Sequence, residues 1–316
     1  MSPARSRWRE WLSQYGILLA FLALVAALAL LSPSFLSTSN LLNVLRQIAV
    51  NALLAFGMTT VILGAGIDLS VGSVLAFSGA LAAGLSVAGW PPALAMAAAL
   101  LAGALMGIFN GIFVAYARIA PFIATLGGLT IFRGATLVYT DGRPITGLPG
   151  AFDLLGNGVW LGVPVPVWVM LAFLGLTHAL LRYTALGRTI YAVGGNEEAA
   201  RLSGIPIVKV KLFTYAYSGL ASALGALVLT GRLDSAQPTA GSGFELDAIA
   251  AVVVGGTSLF GGRGGVVGTF LGAAIIGVLN NGMNLLDVSA FYQQIVKGGV
   301  ILGALLIDRL VSSRKE

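Results

Sequence analysis

What most restricts this chain is the spacing of its apolar runs. From residue 15 onward, stretches of close to 20 apolar residues follow one another with short polar interruptions. A hydrocarbon core about 30 Å thick is crossed by around 20 helical residues. Ten segments approach that length: 15–32, 47–66, 70–88, 93–116, 121–140, 166–182, 208–230, 246–260, 265–283 and 293–310. The eighth is short, and the third opens at a glycine-broken segment, Gly64-Ala65-Gly66-Ile67-Asp68-Leu69-Ser70-Val71-Gly72-Ser73. Too few charges remain to clothe a water-soluble fold: 9% of the 316 residues are charged, against roughly 25% in ordinary soluble domains. The 43 glycines suit helices that approach backbone to backbone in lipid. These features predict an all-α, polytopic membrane protein in which residues 1–316 form one transmembrane domain.

Arg5, Arg7 and Arg9 precede the apolar run Ile17 to Leu31, a pattern shared with cleavable signal peptides. The A-x-A triplet Ala27-Leu28-Ala29, however, lies inside the run and further spans follow, so the segment is read as an uncleaved first helix. With the N-terminus in the cytoplasm, alternation puts thirteen Lys and Arg inside, from Arg5 through Arg118, Arg188, Arg201 and Lys211 to Arg314 and Lys315. The outside receives Arg46, Arg143 and Arg232, while Arg133 and Lys297 fall within spans. This asymmetry obeys the positive-inside rule and returns the C-terminus to the cytoplasm. The net charge of +6 thus reflects orientation; the basic residues form no stripe that would suit nucleic acid.

Spans two to five and seven to ten form two groups of four that enter the membrane from opposite sides. Each group carries acidic residues beside a glycine-rich break: Asp68 in the first, Glu245 and Asp247 before Gly255-Gly256 in the second. The expectation is an inverted four-helix repeat with the pathway near the repeat interface.

Hydrolytic, redox and metal chemistry find no constellation here. There is no Cys, and the one His, His178, sits among apolar neighbours near a helix end. Gly256-Thr257-Ser258-Leu259-Phe260-Gly261 begins like a phosphate-binding loop, then continues as Gly262-Arg263 without the Lys-Ser/Thr that would reach phosphates and magnesium. No cofactor is therefore expected on this chain.

Polar residues within the spans are candidates for a transport pathway or gate, since intramembrane polarity is costly. Arg133 either lines a hydrophilic path or pairs with a carboxylate such as Asp68. Asp68 can cap the third span, the commoner role for Asp before Ser and Gly, or gate the broken helix. Lys297 lies near the outer end of span ten, where its side chain can snorkel to the surface. Asn51, Asn110, Asn280, Asn281 and Asn284 either bond neighbouring helices or offer transient bonds to a hydroxylated substrate. Of the last three, one is expected to face the pathway. Outside, Arg46, Arg143 and Arg232 are candidates to guide docking of an acidic partner surface, or simply solvated loop residues.

The longest cytoplasmic loop, residues 183–208, contains Gly187-Arg188, then Gly194-Gly195-Asn196, then Glu197-Glu198-Ala199-Ala200-Arg201-Leu202-Ser203-Gly204. Asn196 can cap a short helix whose first turn carries Glu197 and Glu198, favourable at the positive helix end. Gly204 ends it, with Pro206 beyond. Such a helix either receives force from a docked partner or merely connects two spans.

Here a resemblance bears on the choice. Glu198-Ala199-Ala200-x-x-x-Gly204 resembles the EAA signature of ABC importer permeases, whose short coupling helix docks on an ATPase. Further blocks resemble the ribose and monosaccharide family of such permeases: Gly66 to Ser73, Phe122-Ile123-Ala124-Thr125-Leu126, Leu186 to Ile205, Ser235 to Gly241, Glu245 to Gly262, and Leu279 to Leu286. The resemblance covers most of the chain from residue 33. It implies a bacterial inner-membrane subunit that moves a monosaccharide, ribose foremost, by alternating access. It also implies a homodimer embedded in membrane lipid, an ABC ATPase subunit that carries the ATP and Mg, and an extracytoplasmic sugar-binding protein. Gly187, Arg188, Gly194, Gly195 and Asn196 through Arg201, with Gly204, would couple the chain to that ATPase. An ion-coupled secondary transporter or a passive channel has no use for such a dock.

Overall fold

The computed structural model describes residues 3–312; Arg314 and Lys315, counted in the charge asymmetry, lie outside them. In chain order the elements are α1 (Pro3–Leu31), α2 (Thr38–Leu63), α3 (Val71–Val87), α4 (Pro92–Ala115), α5 (Pro121–Thr140) and α6 (Gly150–Asn157). A two-stranded ribbon, β1 (Val159–Trp160) and β2 (Val163–Pro164), precedes α7 (Val165–Tyr183). Then come α8 (Ala185–Gly195), α9 (Glu197–Leu202), α10 (Ile207–Leu233), α11 (Phe244–Val254), α12 (Val266–Leu285) and α13 (Ala290–Ser312). Among the described residues, α2, α4, α5, α7, α10 and α12 are long and apolar enough to cross a membrane. Residues 16–31 of α1 and all of α3 are apolar but shorter.

Two helices form the centre. The apolar stretches of α2 and α10 are 67% and 72% buried, whereas α4, α5 and α7 turn most of their surface outward, with 28%, 22% and 33% buried. A lipid-facing helix keeps its apolar exterior because lipid is as apolar as its side chains. Leu101, Leu105, Phe122, Ile123, Ile131 and Leu176 are exposed accordingly.

Helix starts follow local chemistry. Ser37 Oγ accepts the Asn40 N–H at 3.3 Å and caps α2, while Pro lies in the first turn of α4, α5 and α7, where a missing N–H costs nothing. Because of the Ser37 cap, α2 starts nine residues before the apolar segment 47–66, and α10 runs on to Leu233.

The eighth predicted span, 246–260, is a correction. Helix α11 has 11 residues, about 16 Å at 1.5 Å per residue, roughly half a bilayer. It stops because Gly256, Gly261, Gly262 and Gly264 all take positive φ, which unwinds the chain up to Gly265.

Close packing rests on small residues. Gly103, Gly107 and Gly111 present one face of α4 to α10, where added Cβ atoms would meet the Gly219 carbonyl, the Tyr215 backbone and Leu212. The contacts also pair off: α10 with α4 and α2 with α12; α10 with α3 and α2 with α11; α3 with α4 and α11 with α12; α3 with α5 and α11 with α13. Exchanging α2 with α10, α3 with α11, α4 with α12 and α5 with α13 maps each pair onto the other.

Candidate functional site

Three polar regions interrupt this apolar body. The first lies in α8 and α9. Thr184 Oγ1 accepts the Gly187 N–H at 3.0 Å to start α8. Asn196 then breaks the helix at φ −162°, and its Oδ1 accepts the Ala199 N–H at 2.9 Å to start α9. Gly204 closes α9 at φ +78°. The linear sequence suggested one short helix here; the chain makes two, hinged at Asn196.

These helices differ in how they are held. In α8, Gly187 sits against the Leu180 and Leu181 carbonyls, and Gly194 against Leu63 O and Gly262 N, so no side chain fits at either. Gly262 N–H donates to Leu63 O at 3.0 Å, and Tyr191 Oη donates to Gly264 O at 2.9 Å. Thus α8, the end of α2 and the lead-in to α12 meet backbone to backbone. In α9, by contrast, Glu197, Glu198, Ala199, Arg201 and Leu202 are exposed and Ala200 is buried. Arg188 and Gly195 are exposed as well. Glu198 pairs with Arg201, raising that guanidinium's pKa mainly through their hydrogen bond, and Glu197 accepts from Lys211 Nζ at 2.7 Å. Leu202, 81% exposed, is an apolar side chain with no cover from its own chain.

The second region surrounds Asp68. This fully buried carboxylate accepts from Ser70 N–H at 3.0 Å, Ser70 Oγ at 2.7 Å and Ser218 Oγ of α10 at 2.8 Å. Asn110 Nδ2 of α4 donates to Ser70 Oγ at 2.7 Å, and Tyr215 Oη to Ile67 O at 3.1 Å. Asp68 does not cap α3: the N-cap is Ser70, whose side chain makes no cap bond. Asp68 instead holds the turn that leads into the helix, with Ser218 extending that tie across the bundle. Arg133 does not pair with Asp68. Its Nη1 donates to Pro238 O and Ala240 O, 2.8 Å each, with the Glu245 carboxylate as nearby counter-charge. The loop after α10 folds back into its reach, whereas Ser70 and Ser218 already satisfy Asp68.

The third region is a cavity of about 250 Å³ between α2, α10, α11, α12 and α13. Asn51, Asp247, Asn280, Asn284, Gln293 and Lys297 supply its principal polar groups, with Gln47 and Arg232 also on its wall. Lys297 Nζ bonds Asp247 Oδ2 at 2.9 Å, and Asn280 Nδ2 approaches the same oxygen at 3.4 Å. Lys297 therefore turns inward rather than snorkelling, because a carboxylate with a 5% exposed side chain is an expensive charge to leave unpaired. Asn280 Oδ1 is buried without a donor, a cost of about 1–3 kcal/mol. Asn284 Oδ1 accepts from Gln293 Nε2 at 2.8 Å. Asn281 faces elsewhere and exchanges amide bonds with Asn40 at 2.8 and 3.1 Å. Two asparagines of the trio, not one, therefore line the cavity.

The three outer arginines divide. Arg143 stands on an exposed loop beside Asp141, 3.9 Å away. Arg46 and Arg232 lie inside helices, near enough to repel each other, and Arg232 Nη2 donates to Asn43 Oδ1 at 2.9 Å. They were expected at loop tips because the apolar segments begin and end inside the true helix bounds. Gln47, Phe244 and Gln293 were not foreseen in the wall. A signal for this region exists in the sequence: Gly107-Ile108-Phe109-Asn110 matches Gly277-Val278-Leu279-Asn280, and Ile131-Phe132-Arg133-Gly134 matches Ile295-Val296-Lys297-Gly298. In both halves the Asn donates beside the acid that opens the short helix, and its Oδ1 is left without a donor.

Comparison with known proteins places this arrangement. Residues 40–305 match the family model described as branched-chain amino acid transport system / permease component. The chain is 54% identical to the ribose import permease protein RbsC of Bacillus subtilis (strain 168), over 96% of this chain and 94% of that one. It is 53% identical to RbsC of Haemophilus influenzae, over 94% and 93%. It is 42% identical to the D-allose transport system permease protein AlsC of Escherichia coli (strain K12), over 95% and 92%. No solved structure matches the chain. With five-sixths of its length inside the family model and relatives of more than half identity end to end, the chain belongs to the branched-chain amino acid transport system / permease component family.

Proposed function

We propose that this chain is the membrane-spanning permease subunit of an ATP-binding-cassette importer that admits ribose to the bacterial cytoplasm. The observation that carries this reading is the near full-length 54% identity to a ribose import permease, against 42% to a D-allose permease. The geometry supports it: α9 offers an exposed, capped helix, and α8 ties that helix to α2 and α12 without an intervening side chain.

In this reading the chain crosses the cytoplasmic membrane ten times with both termini inside, and residues 183–208 form the coupling loop of a single domain. The eighth crossing is half-length α11 completed by the unwound stretch up to Gly265. The exchange symmetry of the contacts and the two matched tetrapeptides support an inverted repeat of α2–α5 and α10–α13. A separate ATPase binds ATP and Mg and grips α9 through Glu197, Glu198, Ala199 and Leu202. A second copy of the chain forms the permease pair, and an extracytoplasmic sugar-binding protein delivers the substrate. Arg143 is the outer arginine best exposed to meet that protein. The chain itself is not an enzyme; it converts movement of α9 into alternating access.

The test is uptake of labelled ribose into proteoliposomes holding this chain, with ATPase and binding protein added or omitted. Uptake that requires both partners and ATP is the expected result. Uptake by this chain alone would overturn the importer, and a complete assembly that moves another sugar but not ribose would overturn the substrate.

A further inference from the structure

Resting on the importer reading, we propose that the cavity between α2, α10, α11, α12 and α13 is a transient binding site for a neutral monosaccharide. In it, sugar hydroxyls take over bonds now made to Asp247 and Asn280. The wall has the chemistry such a ligand needs. A monosaccharide presents several hydroxyls, each donor and acceptor, around a ring with apolar C–H faces. The cavity offers one carboxylate and the amides of Asn51, Asn280 and Asn284, set against Phe244, Val50 and Leu229. A mostly apolar wall with a few convergent polar groups is the usual form of a small-molecule site.

Two features mark Asn280 as a contact for sugar rather than a fixed structural tie. Its Oδ1 is buried with no donor among the described residues, so an incoming hydroxyl gains a bond without displacing one of these. Its Nδ2 bond to Asp247, at 3.4 Å, is long for its kind and is exchanged at little cost. Asn110, in the matching tetrapeptide of α4, also has an Oδ1 with no donor among the described residues, but it is fully buried and is not in the wall of this cavity. Access to Asp247 requires Lys297 to release it. The ion pair between α11 and α13 is therefore the contact that opens as sugar arrives and re-forms as sugar leaves. Few and exchangeable bonds suit a substrate that must be handed on.

The experiment uses the complete reconstituted importer with wild-type chain, Asn280→Leu and Asp247→Asn. Three quantities are read: ribose uptake, ATP hydrolysis stimulated by ribose-loaded binding protein, and competition by unlabelled xylose and D-allose. Removal of one or two hydroxyl bonds is expected to lower uptake by about 3- to 10-fold and to reorder the competing sugars, with stimulated ATP hydrolysis within about twofold of wild type. Uptake and competition like wild type, or uptake and ATP hydrolysis falling together with the sugar order unchanged, would overturn the site. A second measurement avoids dependence on these variants. The chain has no Cys, so Asn284→Cys gives a single thiol on the cavity wall. Millimolar ribose, but not sucrose, is expected to slow its maleimide labelling in proteoliposomes; equal rates would overturn the site. A wild-type assembly that hydrolyses ATP without moving ribose overturns the importer reading and the site with it. A working wild type beside an indifferent Asn280→Leu overturns the site alone.

Discussion

Replacing Gly107 by Ala adds one methyl group at one of the tightest points of the α4–α10 seam. The new Cβ would stand 2.7 Å from Tyr215 C and 3.0 Å from Ala216 Cα, and closer still to Tyr215 O. All three are backbone atoms of a buried helix, so no side-chain rotation relieves the overlap and α4 must shift. Overpacking of this kind costs about 1–3 kcal/mol. One turn along, a Cβ at Gly111 meets Leu212 and Tyr215 at 3.2–3.4 Å, which small adjustments accommodate. On α7, Gly175 has nothing within 4 Å. There the same change is expected to stabilise by about 0.5–1 kcal/mol, because Ala is the better helix former. One substitution thus changes sign across three sites: Gly107→Ala loses, Gly111→Ala loses less, Gly175→Ala gains. Thermal unfolding of the detergent-solubilised protein should rank them in that order. Asn110 lies on the next turn of the same face and holds Ser70, so Gly107→Ala should also depress ATP-driven ribose uptake. Equal melting temperatures for Gly107→Ala and Gly175→Ala would refute the argument that backbone contact sets this seam.

Three further outcomes follow from the polar regions. Lys297→Met strands a buried carboxylate and should destabilise by about 3–5 kcal/mol, most of it recovered in the double variant with Asp247→Asn; unfolding of the two in parallel checks this. Arg133→Ala gives up two charge-assisted bonds to carbonyls, worth about 1.5–3 kcal/mol each in exposed-to-buried series, and its effect should add to that of Asp68→Ala, since the two share no partner. A coupling energy well above 0.5 kcal/mol in that double-mutant cycle would restore the Asp68–Arg133 pair that the structure replaces. At the cytoplasmic face, Glu198→Lys and Gly204→Pro should abolish uptake with membrane insertion intact. Proline cannot adopt the φ of +78° at Gly204 and would delete its N–H bond to Arg201 O. Normal uptake by both would remove α9 as the dock.

Features governed by neighbours in sequence were legible from the chain alone. Hydropathy located a helix for each of the ten apolar segments, and the Asn196 cap, the acidic first turn of α9 and the stop at Gly204 all follow from local rules. Asp68 as the cap of α3 falls two residues short: Ser70 is the N-cap, and Asp68 holds the turn before it. What escaped depends on which helices meet. Arg133 finds carbonyls 105 and 107 residues away, and no local rule names the strand of loop that returns to it. Lys297 looked like a surface lysine until α11 brought Asp247 beneath it. Hydropathy also misjudged ends: Asn40, Asn43, Arg46 and Gln47 dilute the first turns of α2, although Ser37 marks the true start. The segment between α5 and α7 contains no apolar run of span length, yet Phe152 of α6 is fully buried and α6 packs its backbone on Gly231 and Arg232.

The junction at Gly194, Leu63 and Gly262 sets how displacement spreads from α8 and α9. Side chains absorb small movements by changing rotamer, as springs in series would, so a push that crosses several of them arrives late and diminished. At this junction there are none to compress. A displacement of α8 therefore meets the foot of α2 and the lead-in to α12 directly through backbone contact. The foot of α2 and the lead-in to α12 thus share one axle, with α8 turning on it.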